Sequence, residues 1–169
     1  MPDGIDIRIE GLADTKAMLE NLSTQAAERA IRKALRAGSS IEEEAIRERA
    51  PVRPDLPSGT ALPPGALAND ISSTIRKVDD DNFVSITQPG KLTRHVANWV
   101  EYGHRLVRGG RSSVIKSGKN AGKTRGPGSH VGEVKEHPFI RPAYEATAEQ
   151  VAQAIATTLQ EEVTKASSK

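Results

Sequence analysis

The chain has 169 residues, of which 36% are hydrophobic, 27% charged and 3% aromatic. This length predicts one domain over residues 1–169 with a small, mainly aliphatic core. The absence of cysteine excludes disulfide frameworks, thiolate nucleophiles and iron–sulfur clusters. No apolar run approaches the roughly 20 residues of a membrane helix, and the charged N-terminus lacks a secretory signal. We therefore expect a soluble protein that is made in a cytoplasm.

The net charge of +2 hides a strong segregation of charge along the chain. Residues 102–132, the basic segment, contain no Asp or Glu but seven cations, so the remainder of the chain is net negative. Eight of the fourteen glycines also lie here, and such a composition buries too little apolar area to offset the entropy of ordering. We therefore expect a long mobile loop over about residues 104–132. Its seven cations are Arg105, Arg108, Arg111, Lys116, Lys119, Lys123 and Arg125.

The first fifty residues show the periodicities of one strand and two helices. Ile5–Glu10 alternates apolar and polar residues, which predicts a short strand. Asp14 is placed to cap a first helix. Ala and Ile residues at spacings of three and four predict a long Ala-rich amphipathic helix over about residues 24–49. Within it, Glu43 and Arg47 have the spacing of an ion pair on a solvated face.

Prolines and turn residues divide the middle of the chain. Five prolines predict a loop over about residues 51–64, and the long helix ends before the first of them because that position disfavours the α region. Gly65–Ile75 is predicted as a short helix or a strand. Asp79–Asn82 is typical of a turn before a strand at Phe83–Thr87. Val96–Gly103 stays open between a strand and a short helix, and in either case we expect it to be buried.

The C-terminal region predicts a return to the core followed by a helix. Phe139 and Ile140 supply the buried residues, and Pro142 suits the first turn of a helix. An aliphatic stripe at i+4 spacing then continues towards the C-terminus. Together these elements predict an α+β fold, in which a small, mostly antiparallel sheet packs against the long Ala-rich helix and the C-terminal helix, with long loops. The stripe consists of Val151, Ile155, Leu159 and Val163.

Two motifs resemble catalytic or metal-binding sites but lack essential parts. Gly118–Thr124 is similar to a phosphate-binding loop, yet Ser117 stands where the first glycine is needed and no helix is predicted to follow. The histidines lack the i,i+4 spacing of a helical metal site. We therefore predict no nucleotide hydrolysis, no metal and no cofactor. The four histidines are His95, His104, His130 and His137.

Glu101 lies in an apolar stretch, where a carboxylate must face solvent or pair with a cation. A structural ion pair, for which Arg141 is a candidate, is favoured over a general-base role. The reason is that no nucleophile, second carboxylate or oxyanion donor can be placed beside Glu101. The sequence therefore favours a structural role for Glu101 over a catalytic one, and a hydrolase that uses Glu101 or a histidine is kept as the less favoured reading.

The cations of the basic segment could neutralise phosphates, with an affinity that falls steeply in salt. However, the segment lacks the aromatic residues on which bases stack. The favoured interpretation is a solvated loop, or one that docks on an acidic face of a neighbouring subunit. Sequence-independent binding of nucleic acid is kept as the alternative.

Several short motifs, taken in order, resemble the neck or tail-completion family of bacteriophages. This family is typified by the tenth gene product of Hong Kong 97-type long-tailed phages. The resemblance is carried by the Ala-rich helix ending at Ala50–Pro51, by Gly65–Ile71, by Val96–His104 and by His137–Ala143. In the family, the third motif usually begins with an aromatic residue and ends with threonine, where this chain has valine and histidine. The signature residues are Pro51, Gly65, Leu67, Trp99, Val100, Glu101, Tyr102, Gly103, Pro138, Phe139, Arg141 and Pro142.

The resemblance implies a non-enzymatic virion protein of the neck or tail, assembled in the host cytoplasm as a homo-hexameric ring without a cofactor. Its partners would be further copies of itself, the head-closure or connector protein and the tail-terminator protein, and not a membrane. Glu101, Tyr102 and Phe139–Pro142 would fix the subunit core, while the long loops would reach neighbouring subunits. A basic segment repeated around a ring would form a positive band that faces an adjoining ring or the genomic DNA in the channel.

Overall fold

The computed structural model describes residues 12–52, 62–79, 82–108, 113–114, 116, 118–119, 121–125 and 128–168. The strand expected at Ile5–Glu10 lies outside these residues. None of the described helices is both long enough and apolar enough to span a membrane. The helices are α1 (Leu12–Glu20), α2 (Thr24–Arg49), α3 (Ala66–Asn69), α4 (Arg94–Tyr102) and α5 (Ile140–Ser167). The strands are β1 (Ile71–Lys77), β2 (Phe83–Pro89), β3 (His104–Arg108), β4 (Ser113–Val114), β5 (Thr124–Arg125) and β6 (Ser129–Val134).

The chain divides into two compact units. Residues 1–94 and 139–169 form the first, which we call the helical unit, and residues 95–138 form the second, which we call the basic unit. The described strands make three two-stranded antiparallel sheets, so the predicted α+β class is confirmed. The single domain expected over residues 1–169 stays a prediction.

Helices α2 and α5 pack against each other in the helical unit, and both confirm the sequence prediction. The long helix ends at Arg49, with Ala50 as its C-cap residue directly before Pro51, as expected. Its buried positions are small residues such as Ala30, Ala34 and Gly38. A Cβ atom added to Gly38 would lie only 2.6 Å from Cγ1 of Ile155 in α5. The Ala-rich sequence therefore serves a close approach of two helix backbones.

The β1–β2 hairpin packs on α2 and completes the helical unit. Its register places Ser73 opposite Thr87. The predicted turn is confirmed where it is described, because the backbone N–H of Asn82 donates to Oδ1 of Asp79 at 2.9 Å. For Gly65–Ile75 the sequence left a short helix or a strand open. The structure contains both, because the helix α3 is followed directly by the strand β1.

Two local predictions in the helical unit are wrong. Asp14 lies in the first turn of α1, which begins at Leu12, and so it is not the residue that precedes the helix. Glu43 and Arg47 form the expected pair at 2.9 Å, but the Glu43 side chain is only 15% exposed. Its other oxygen accepts a hydrogen bond from the backbone N–H of Ser73. The pair joins α2 to β1, because a strand edge next to a helix needs hydrogen-bond partners.

Two further differences concern the basic unit. The stretch left open at Val96–Gly103 is largely the helix α4, and the expectation that it is buried holds for one side of this helix only. The described part of the basic segment forms paired strands, β3 with β6 and β4 with β5, where a long loop was expected. Pairing occurs because His104–Arg108 finds a partner strand, Ser129–Val134, across the glycine-rich stretch, and this satisfies the backbone groups of both strands.

Candidate interaction surfaces

Two signature motifs meet at the C-terminal end of α4. The backbone carbonyl of Val100 accepts a hydrogen bond of 2.7 Å from the N–H of His137. Gly103, which follows the helix, has a φ of 69°, and a Cβ atom there would lie 2.6 Å from the carbonyl oxygen of Val134. Glycine meets both the backbone conformation and the close approach. The two motifs are therefore parts of one structural junction.

Glu101 lies on the buried side of α4 and is only 3% exposed. Burial of a carboxylate requires interactions that compensate for lost hydration, and Glu101 does have such an interaction in this structure. Arg141 is exposed in the first turn of α5. The ion pair between Glu101 and Arg141 stays a prediction.

The opposite side of α4 carries an exposed apolar surface. The ring of Trp99 is 49% exposed and lies 5.3 Å from the ring of His95 and 5.2 Å from that of His104. In β3, Leu106 is two residues beyond His104, and Val134 of β6 is directly opposite His104. Side chains at these positions share one face of the strand pair. Leu106 and Val134 are also exposed, and we call Trp99, Leu106 and Val134 the apolar face.

The seven predicted contact cations lie in the basic unit or outside the described residues. Arg105 of β3 is exposed and stands opposite Glu133 of β6, so it faces a carboxylate of its own unit. Three more cations are exposed, namely Lys116, Lys119 and Lys123. Arg108 and Arg125 lie in strands β3 and β5, whereas Arg111 is outside the described residues.

The remaining signature residues have structural positions. Leu67 of α3 and Phe139, just before α5, are buried core residues. Gly65 precedes α3 with a φ of 74°. Pro138 is exposed, and the half-exposed Pro142 lies in the first turn of α5, as expected. Pro51 follows the end of α2, and Tyr102 at the end of α4 is exposed.

Sequence reasoning missed two arrangements in the helical unit. Asp70, between α3 and β1, accepts hydrogen bonds through Oδ2 from the backbone N–H and the hydroxyl of the fully buried Thr93, at 3.1 and 2.9 Å. Arg32 and Arg36 of α2 line a cleft beside β1. Their i,i+4 spacing was visible in the sequence, but the strand beside them was not. Among the described residues, no group of three His, Asp or Glu side chains could hold a metal ion.

Comparison with known proteins identifies the family of the chain. Residues 13–103 match the family model HK97-gp10_like, described as "Bacteriophage HK97-gp10, putative tail-component". This region extends from α1 to Gly103 and covers more than half of the chain. Neither the curated proteins nor the solved structures gave a match. The resemblance seen in the sequence motifs is therefore confirmed, and the chain belongs to the HK97-gp10-like family of phage tail components.

Proposed function

We propose that this protein is a non-enzymatic structural component of the phage neck, where it helps to join head and tail. Its membership in a family of tail components supports a place in the virion. In this proposal it assembles in the host cytoplasm as a ring of identical subunits, with six as the expected number. The ring contacts the head-closure or connector protein on one side and the tail-terminator protein on the other.

The observation that carries the proposal is the apolar face. Trp99, Leu106 and Val134 leave apolar area exposed near Gly103, the last residue that the family model matches. Contiguous exposed apolar side chains are typical of protein interfaces. If the apolar face of one copy contacts a different surface of the next copy, the contact is heterologous, and repetition of such a contact closes a ring when the rotation permits. Aromatic anchors such as tryptophan contribute strongly to interfaces of this kind.

The decisive experiment is electron microscopy of lysates from a phage with an early stop codon in this gene, complemented from a plasmid as the control. We expect filled heads and separate tails without the protein, and joined particles after complementation. Normal particles without complementation would contradict the proposal, because a neck component cannot be dispensable for joining.

A second candidate function is sequence-independent contact with DNA through the basic unit. Exposed Arg105, Lys116, Lys119 and Lys123 favour it, because surface cations can replace the counterions around phosphates. Simultaneous replacement of Arg105, Arg108 and Arg111 by serine should reduce DNA retention or assembly, and binding of the isolated protein to duplex DNA should weaken steeply with salt. Unchanged infectivity of this variant at low and high salt would remove the basic segment from either role.

A further inference from the structure

In the β1–β2 hairpin, no other described strand pairs with the outer edge of β1. Hydrogen bonds at its two ends show which residues face that edge. The N–H of Gly90 donates to the carbonyl of Asp70 at 2.8 Å, and the N–H of Val78 donates to the carbonyl of Asn82 at 2.8 Å. Even-numbered residues of β1 therefore bond to β2, because bonding alternates along an antiparallel strand. The backbone groups of odd-numbered residues point to the open edge, namely those of Ile71, Ser73, Ile75 and Lys77.

Side chains of α2 occupy the first part of this edge. Nη2 of Arg47 donates to the carbonyl of Ile71 at 2.7 Å, and the N–H of Ser73 donates to Glu43. Nη1 of Arg36 lies 3.5 Å from the carbonyl oxygen of Ser73, which is at the limit of a hydrogen bond. Within the described part of the chain, no side chain bonds to the backbone of Ile75 on this side. The edge is therefore open where Ile75 stands.

A cleft of about 380 Å³ lies at this point between α2 and β1, and we call it the basic cleft. Of its cations, Lys33 pairs with Glu162, whereas Arg32 is placed over the ring of Phe83 at 5.1 Å. Among the described residues, neither Arg32 nor Arg36 forms an ion pair with a carboxylate. Both guanidinium groups thus lack a carboxylate within ion-pair distance, although the charge of Arg32 also acts on Glu28 at longer range. The cleft is lined by Arg32, Lys33, Arg36, Ser73, Thr74 and Ile75.

We propose that the basic cleft binds an extended acidic segment of another protein subunit. The segment adds to the edge of β1 at Ile75 through backbone hydrogen bonds and brings a carboxylate to Arg36 or Arg32. Strand addition is a common mode of peptide recognition, and guanidinium groups bind carboxylates with two parallel hydrogen bonds. A nucleic acid would offer phosphates to the arginines but no backbone donors and acceptors to Ile75. This inference does not depend on the neck position or on the ring.

The probe is a short labelled peptide of alternating valine and glutamate, titrated into the full chain and followed by fluorescence polarisation. We expect saturable binding that weakens about tenfold for Arg36→Gln and further for Arg32→Gln combined with it, since a charge-assisted hydrogen bond contributes about that factor. Arg76→Gln is the matched control, because Arg76 is an exposed cation next to Ile75 in β1 but does not line the cleft. It should change the Kd by less than about twofold, as expected for an exposed charge.

Two comparison probes separate strand addition from charge attraction. A peptide with proline in place of valine keeps the carboxylates but loses backbone N–H groups, and it should bind at least about tenfold more weakly. In the unaltered chain, the backbone amide signal of Ile75 should shift during the titration with the valine peptide. No saturable binding, equal binding of the proline peptide, equal Kd values for the arginine variants, or tighter binding of a DNA oligonucleotide in competition would each overturn the proposal.

Discussion

Among the described residues, the largest fully buried side chains all lie in the helical unit, whereas large side chains of the basic unit are exposed. In the helical unit, Phe139, Ile46 and Ile71 are almost completely buried. In the basic unit, Trp99 and Leu106 are about half exposed. Burial contributes about 25 cal/mol for each Å² of apolar surface removed from water, so buried side chains stabilise their own unit. The exposed side chains do not gain this free energy within the chain, and burial against another molecule would supply it.

Under the proposed function, this difference means that stability and assembly depend on separate parts of the chain. Changes in the core of the helical unit should lower the free energy of unfolding and act on assembly only through it. Changes on the apolar face should act on assembly while the isolated chain stays folded. The comparison would be wrong if a core variant impaired assembly without loss of stability, or if a variant of the apolar face unfolded the isolated chain.

The largest effect is expected for Phe139→Ala. Phe139 is 1% exposed, and removal of a fully buried ring costs about 3–5 kcal/mol in free energy of unfolding. Urea denaturation measures this loss. The control is Tyr144→Ala, an exposed aromatic residue of α5, which should cost less than about 1 kcal/mol. Similar losses for both variants would contradict the assignment of Phe139 to the core.

Gly103→Ala is expected to have the next largest effect. The positive φ costs about 1 kcal/mol or more for any other residue, and overlap with the carbonyl of Val134 adds a steric cost, so we expect a total of about 2 kcal/mol. Gly122→Ala is the matched control, since its φ is 84° but no other group lies near the added Cβ atom. Thermal unfolding and hydrogen exchange at the amide of His137 report the loss. Equal effects of the two variants would mean that only backbone conformation matters.

For Trp99→Ser we expect a change in free energy of unfolding of about 1 kcal/mol or less, because the ring is half exposed. Incorporation of the protein into particles should nevertheless fall strongly, measured as copies per virion after complementation of the stop-codon phage. Tyr144→Ser, an exposed aromatic residue of the helical unit, should be incorporated normally. Normal incorporation of the Trp99 variant would remove the apolar face from the interface.

Local periodicity was sufficient to predict α2 and α5, because a helix pairs each backbone group with one four residues away. The errors concern contacts that are distant in the chain. Glu43 bonds to Ser73, thirty residues further on, and so a spacing within α2 could not reveal that it is mostly buried. The strands of the basic segment likewise depend on pairing between His104–Arg108 and Ser129–Val134, which the high glycine content obscured. The basic cleft was missed for the same reason.

The smallest effect concerns two ion pairs on the surface of the helical unit. A hydrogen bond of 2.7 Å from Nζ of Lys77 lowers the pKa of Glu28 below its ordinary value of 4.5. Hydrogen bonds from Lys33 and, more weakly, from Lys165 lower the pKa of Glu162 in the same way. A carboxylate with a lowered pKa stabilises the folded state above its unfolded pKa, and this stabilisation is lost as the pH falls through the folded pKa.

The urea midpoint should therefore fall as the pH drops below about 4.5, and part of this fall should be absent in Glu28→Gln. The change is small, because salt and water screen exposed pairs, and high salt should reduce it further. Glu44→Gln is the control, since Glu44 is exposed on the same helix and makes no ion pair within the described residues. If Glu28→Gln keeps the full acid dependence, the pair with Lys77 adds nothing to stability. The helical unit would then depend more on its buried side chains, which would sharpen its contrast with the basic unit.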